Sequence, residues 1–244
     1  MKRIALLVGN TTGLPGVTVD LSNYIAFLKS DFGGAWYASE IIVMSSPSRH
    51  DLITKIRELK IFSYDFAFVI FSGHGAYQRD TILEINNEEE CISESELKNI
   101  ATRQISVFDC CRNIIRQSIT DTRSVKAYSS GGTISNIRAR YDARIMSAEE
   151  QQASLYACSI GESALDTENG GLYSKNLLAA SRSFNSDFLT INNAHDSARI
   201  QTTREAIDLH AGHIQNPTSE FIRCLSSHQL IIGVNPNISQ TYFR

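Results

Sequence analysis

No stretch of this chain approaches the ~18 apolar residues that a membrane-spanning helix needs. The N-terminal run Met1-Lys2-Arg3-Ile4-Ala5-Leu6-Leu7-Val8-Gly9-Asn10 has the charged start of a secretory signal. It is too short for one, and Gly-Asn ends it, so it reads as a buried first strand. No membrane partner is expected. Surplus positive charge is also missing. A formal net charge of −3 over 244 residues, unsegregated apart from one basic segment, argues against an extended nucleic-acid surface. Cysteines are few and lack paired spacing: Cys91, Cys110, Cys111, Cys158 and Cys224 are odd in number, and two are adjacent. That is poor geometry for a structural disulfide, and a reducing, cytoplasmic compartment is the simplest reading. Internal repeats, low-complexity tracts, and the Gly-x-Gly-x-x-Gly and Walker patterns are absent, so Gly9-Asn10-Thr11-Thr12-Gly13 is a weak phosphate loop and a nucleotide or flavin binder a weak alternative. Adjacent cysteines cannot easily hold one ion tetrahedrally, which counts against a metal site built from His74, Cys110 and Cys111. His195, His210, His213 and His228 fall in or beyond the C-terminal helical region and read as surface or packing residues. No metal and no cofactor are expected.

What is present is a hydrophobic content of 42%, enough for a sizeable core, and a steady βα alternation. Strands are expected near 3–9, 40–44, 66–71, 105–108, 154–158 and 229–234, the last closing the sheet, with a short β excursion at 81–86. Helices are expected near 17–30, 50–62 (capped by Ser48), 94–101 (opened by Ser93 or Ser95), 172–184 and 188–209. Such alternation implies a mostly parallel sheet covered by helices on both faces, in one large α/β domain spanning residues 1–244. Residues 120–152, rich in Ser, Gly and Arg, lack a sustained apolar period and read as a long functional or mobile loop.

Two apolar runs carry the chemistry. Phe66-Ala67-Phe68-Val69-Ile70-Phe71 ends in Ser72-Gly73-His74-Gly75, and Ile105-Ser106-Val107-Phe108 ends in Asp109-Cys110-Cys111-Arg112. As neighbouring parallel strands they would bring a histidine and a cysteine to one sheet edge, where α/β folds bind ligands. Thiolate attack on a carbonyl needs a nucleophile, a proton acceptor and donors aimed at the developing oxyanion. Cys111 would supply the first and His74 the second. The backbone amides of Gly75 and Cys111 would supply the oxyanion donors. A helix beginning at Arg112 would favour the thiolate.

Ser72-Gly73-His74-Gly75 and Asp109-Cys110-Cys111-Arg112 resemble the His and Cys motifs of caspase-like cysteine peptidases, above all the metacaspase and paracaspase branches. The opening strand Arg3–Asn10, the segment Tyr156–Ala164 followed by Gly170-Gly171-Leu172-Tyr173-Ser174, and Gln215-Asn216-Pro217 resemble further parts of such domains in the same order. The Gln-Ala-Cys-x-Gly of animal caspases is absent, as is the Ser-Gly that follows the metacaspase cysteine. Alignment on Asp-x-Cys makes Cys111 the nucleophile rather than Cys110, a choice the residues alone leave open. The resemblance implies a caspase-like α/β/α sandwich with a mainly parallel six-stranded sheet, endopeptidase activity and no attached recruitment domain. The compact form is similar to prokaryotic caspase homologues, some of which serve defence or cell-death systems.

Animal caspases hold a substrate Asp with arginines, the first of them in the loop after the first strand. That loop here, Thr11–Asp20, has no Arg or Lys. Asp20 aligns instead with an acid of the metacaspase and paracaspase P1 pocket, Asp109 with a second, and Glu162 or Asp166 with a third. Such a pocket selects Arg, then Lys, and repels Asp. Arg123, Lys126, Arg138, Arg140 and Arg144 lie where caspase-like enzymes carry a processing linker, so cleavage there, by the enzyme itself or by an upstream activating protease, is the expected release from a zymogen. Some metacaspases need calcium, but no ligand cluster stands out. The chain is expected to act on a protein or peptide substrate, as a monomer or a homodimer along its last strand. The competing reading is a catalytically silent scaffold that binds a protein partner.

Overall fold

The computed structural model describes residues 1–114 and 136–238. The first half runs β1 (Arg3–Gly9), α1 (Pro15–Lys29), β2 (Ile41–Ser45), α2 (Arg49–Ile61), β3 (Tyr64–Ser72), β4 (Gly75–Tyr77), β5 (Thr81–Glu84), β6 (Cys91–Ser93), β7 (Ala101–Asp109) and β8 (Asn113–Ile114). The second runs α3 (Asn136–Met146), β9 (Gln152–Tyr156), β10 (Asp166–Thr167), β11 (Gly170–Gly171), α4 (Leu172–Ala180), β12 (Phe188–Thr190), α5 (Ile191–Leu209), β13 (Thr218–Glu220) and β14 (Ile231–Val234).

Six strands form the central sheet in the order β13-β9-β7-β3-β1-β2, parallel except for β13, which runs antiparallel to β9. This is the expected caspase-like α/β architecture. The central strands are buried on both faces, and their alternation sorts side chains between two cores. Phe66, Phe68 and Ile70 of β3 face the helical layer built by α1, α3, α4 and α5, where Tyr24, Phe27, Tyr141, Tyr173 and Leu177 are buried. Ala67, Val69 and Phe71 face the opposite layer, made by Leu52, Ile56 and Leu59 of α2 and by the small sheet β6-β5-β4-β8. Ser48 caps α2 as expected, accepting from the Asp51 amide.

Several expectations fail for identifiable reasons. The helix expected near 94–101 is a single 3-10 turn, Glu94–Leu97. Buried Gln104 takes the Leu97 carbonyl and the Ile100 amide, and the strand starts at Ala101. No helix begins at Arg112: Asn113–Ile114 is a strand pairing with Ala76–Tyr77. Residues 136–146, expected in the loop, form α3, whose Tyr141 and Ile145 are fully buried. Arg138, Arg140 and Arg144, interleaved with the apolar residues, hid the period. The last strand, β14, does not close the central sheet; it pairs with β12 in a separate ribbon and is wholly buried. The sixth strand is instead the short polar β13. Among the described residues no helix is long and apolar enough to cross a membrane.

Candidate active site

The register of β3 against β7 pairs Ser72 with Asp109 at their carboxyl ends. His74 and Cys111 each lie two residues further on, so the same offset brings them level. The Gly73 amide donates to the Asp109 carbonyl at 3.1 Å, zipping the two strand ends together. Gly73 has φ +156° and packs against Asn10, where an added Cβ would meet the Asn10 Cβ at 2.9 Å. A larger residue would push the histidine out of line.

The adjacent cysteines point to different places. Cys110 is 2% exposed and belongs to the core on the α2 side; burial pushes its thiol well up. Cys158 is fully buried, with its thiol raised to about 12 by burial and by neighbouring Cys111. Cys111 is half-buried and lines a cavity of about 50 Å³ together with Leu14, Gly73, His74, Asp109 and Asp166. Its sulfur lies 3.7 Å from the Ala164 carbonyl. Arg112 does not turn back toward this thiol. It is held by Thr81 and Thr218 and lies 4.0 Å over the Tyr156 ring.

The His74 ring is fixed by the carbonyl of Thr12, 3.0 Å from Nε2. A carbonyl only accepts, so Nε2 carries the proton and Nδ1 of the neutral ring keeps the free lone pair. Gly75 opens β4 and pairs with Leu83. The bond from the Glu84 amide to the His74 carbonyl, 3.1 Å, makes this a pair whose hydrogen bonds run between its neighbours, so the Gly75 amide points away from β5.

Three carboxylates gather beside the cavity. Asp20, 1% exposed, accepts from Ser72 Oγ at 2.7 Å and from the Gly171 amide at 3.0 Å. Asp109, 5% exposed, accepts from the Ser174 amide at 2.8 Å. Asp166 accepts from the Gly16 amide at 3.1 Å. An added Cβ at Gly170, Gly171 or Gly16 would lie 2.3, 2.5 or 2.0 Å from a carboxylate oxygen of Asp20, Asp109 or Asp166 respectively, so glycine leaves the space these acids occupy. Burial first, then repulsion from Asp109, raises Asp20 to about 8. Burial and Asp166 raise Asp109 to about 6. Asp166 is raised by burial as well. Among the described residues none of the three has a Lys or Arg partner.

Glu162 is not brought to this cluster. Its carboxylate accepts from the Ser159 and Asn216 amides and from the Asn216 side chain, at 3.2, 2.7 and 2.8 Å, and so fastens the turn after β9. The Gln215-Asn216-Pro217 segment serves the same purpose: Gln215, fully buried, bridges the Leu165 amide and the Ala157 carbonyl. Arg123 and Lys126 lie outside the described residues. Arg138 and Arg140 are buried in α3, paired with Glu40 and Asp187, and Arg144 is on the same helix, bonded to the Ser226 carbonyl. As helical side chains with native partners, they are not presented as cleavage sites in this fold. Sequence reasoning missed Asn10, Thr12 and Glu84, which brace the histidine; the only signal for the first two was a polar cluster just past the first strand, and Glu84, at the end of β5, had none. His195 is a packing residue, bonded to the Tyr173 hydroxyl at 2.7 Å, and burial lowers it to about 4.

The family model of the caspase domain, peptidase family C14, matches residues 2–223. No curated protein matches the chain.

Proposed function

The chain belongs to the caspase-domain family of cysteine peptidases, a membership that implies protein substrates, and on that premise we propose an endopeptidase that cleaves after Arg, and less readily after Lys. Cys111 is the nucleophile. His74 takes the thiol proton through Nδ1, leaving a thiolate that attacks the scissile carbonyl carbon. The Gly75 and Cys111 amides hold the resulting oxyanion. The protonated His74 then gives its proton to the leaving amine. Water hydrolyses the acyl-enzyme in the second half-reaction, with His74 as base again.

The observation that carries the specificity is the trio Asp20, Asp109 and Asp166, the first two buried and the third half-buried, gathered with no Lys or Arg partner among the described residues. Carboxylates in that state favour a ligand that brings positive charge and forked N–H donors. A substrate Asp would add a further repulsive charge. The same feature favours the metacaspase and paracaspase branch over animal caspases. At about 50 Å³ the cavity has room for a water or two, so an Arg side chain requires the lining loops to move. A pocket this small favours latency, released by cleavage near Arg123 or Lys126, in a bacterial defence or cell-death setting.

Release of a fluorophore from Arg-, Lys- and Asp-ended peptides tests the reading. The native protein is compared with Cys111→Ala and Cys110→Ala, before and after limited trypsin treatment. Cleavage after Arg that is lost in C111A and kept in C110A is the expected result. Silence in every sample, or faster cleavage after Asp, overturns it and returns the scaffold reading.

A further inference from the structure

The hydrogen bonds around His74 form a closed circuit. The ring Nε2 donates to the Thr12 carbonyl at 3.0 Å. The Thr12 amide donates to Asn10 Oδ1 at 3.1 Å. Asn10 Nδ2 donates to Glu84 Oε1 at 3.0 Å and, more weakly, to the Asn86 carbonyl at 3.3 Å. The Glu84 amide returns to the His74 carbonyl at 3.1 Å. The ring and the backbone of one residue are thereby tied to a single side chain.

That side chain is Asn10. It is fully buried, its own amide donates to the Ser72 carbonyl at 3.0 Å, and its Cβ backs Gly73. Asparagine alone offers an acceptor to one arm and a donor to the other at that size. Aspartate would keep the Thr12 arm but set a carboxylate against Glu84. Alanine would release both arms and leave buried partners unsatisfied.

We propose that Asn10, acting through Thr12 and Glu84, is a positioning residue that sets both the tautomer and the location of His74. The proposal rests on the His74–Cys111 reading above. Asn10 touches neither substrate nor sulfur, so its effect falls on the chemical step and not on substrate capture. Misplacing a catalytic group by about 1 Å can cost on the order of 100-fold in rate.

The test uses the full chain with Asn10→Asp, Glu84→Ala, Glu84→Gln and His74→Ala. One readout is kcat and KM on an Arg-ended peptide. The other is the pH profile of Cys111 alkylation by iodoacetamide, followed at that residue by peptide mass spectrometry and independent of substrate preference. N10D and E84A should lower kcat about 10- to 100-fold, with KM changed less than about twofold, and should move the alkylation profile toward that of H74A. E84Q, whose side-chain oxygen still accepts from Asn10, should stay close to native. Glu84 is partly exposed, so the E84A and E84Q pair decides the matter even where Asn10 variants fold poorly. Native kinetics and a native profile in E84A would overturn the inference. A profile unchanged in H74A would instead remove the dyad on which it depends.

Discussion

Two clusters of buried charge lie at opposite ends of the parallel strands, and they are built on opposite principles. At the amino end of β1, Arg3 is 2% exposed and fully engaged. It pairs with Asp142 at 2.8 Å, contacts Glu40 at 3.4 Å, donates to the Gly34 and Ala35 carbonyls, and lies 4.4 Å over the Trp36 ring. Arg138 joins by its ion pair with Glu40 and holds that carboxyl below its usual range despite burial. At the carboxyl end, Asp20, Asp109 and Asp166 are gathered with amide and hydroxyl donors but no cation among the described residues. The balanced cluster joins α3 to the sheet and is complete. In the unbalanced one burial, and for Asp20 and Asp109 repulsion from a neighbouring acid, raises the pKa values, with no Lys or Arg among the described residues to offset it. A buried charge without a partner costs several kcal/mol, which is the expected signature of a site whose partner is a ligand.

The largest effect is on the nucleophile beside the unbalanced cluster. Cys111→Ala should reduce kcat by about 10⁴-fold or more, read in steady-state assays. Cys110→Ala should keep activity within a few-fold and lose about 1 kcal/mol of stability in urea titration. Next, Asp20→Asn or Asp109→Asn should lower kcat/KM on Arg-ended peptides about 100-fold, by removing one member of a desolvated charge pair. The fold should remain intact. The balanced cluster should respond the other way. Glu40→Ala leaves Arg3 and Arg138 short of charge and should cost about 3 kcal/mol of stability, with kcat/KM of the folded protein unchanged.

The smallest effect is a pH dependence of the free protein. Asp20 and Asp109 both have folded pKa values above the ordinary carboxylate value, about 8 and about 6. The folded state therefore holds their protons more tightly than the unfolded chain does. That contribution is fully present below about pH 4 and is lost as pH rises through 6 and then 8. The thermal midpoint should fall by a few degrees between pH 5 and 8.5, and the slope should flatten in D20N. Calorimetric scans across that range check it. A midpoint that rises over the interval would contradict the arrangement.

Much of this was legible in the residues. The buried strands at 66–71 and 105–108 announced themselves through length and β-branched or aromatic content, and their parallel register makes the positions of His74 and Cys111 correspond. Asp20, Asp109 and Asp166 were legible only through likeness to a known family, since an Asp on a helix or at a strand end has many commoner uses. What the sequence concealed was structure in which polar groups do structural duty. The buried arginines of α3 masked its helical period. The short polar β13 carries no pattern, although it completes the central sheet. Glu162 looked like a pocket acid and is a turn fastener, because Asn216 reaches it from a segment 54 positions away. Asn10 is one residue in a polar loop until four hydrogen bonds make it the brace of a histidine.

Whether the unbalanced carboxylates await a cation is decided by one binding measurement. Inactive C111A protein is titrated calorimetrically with two peptides identical except for Arg or citrulline at the P1 position. Citrulline keeps the shape and removes the charge. The Arg peptide should bind at least about tenfold more tightly. Proton release is expected at pH 7 as Asp20 ionises against the guanidinium, with an affinity for Arg that grows from pH 5 to 8. Equal affinities for the two peptides, with no protons released, would contradict it.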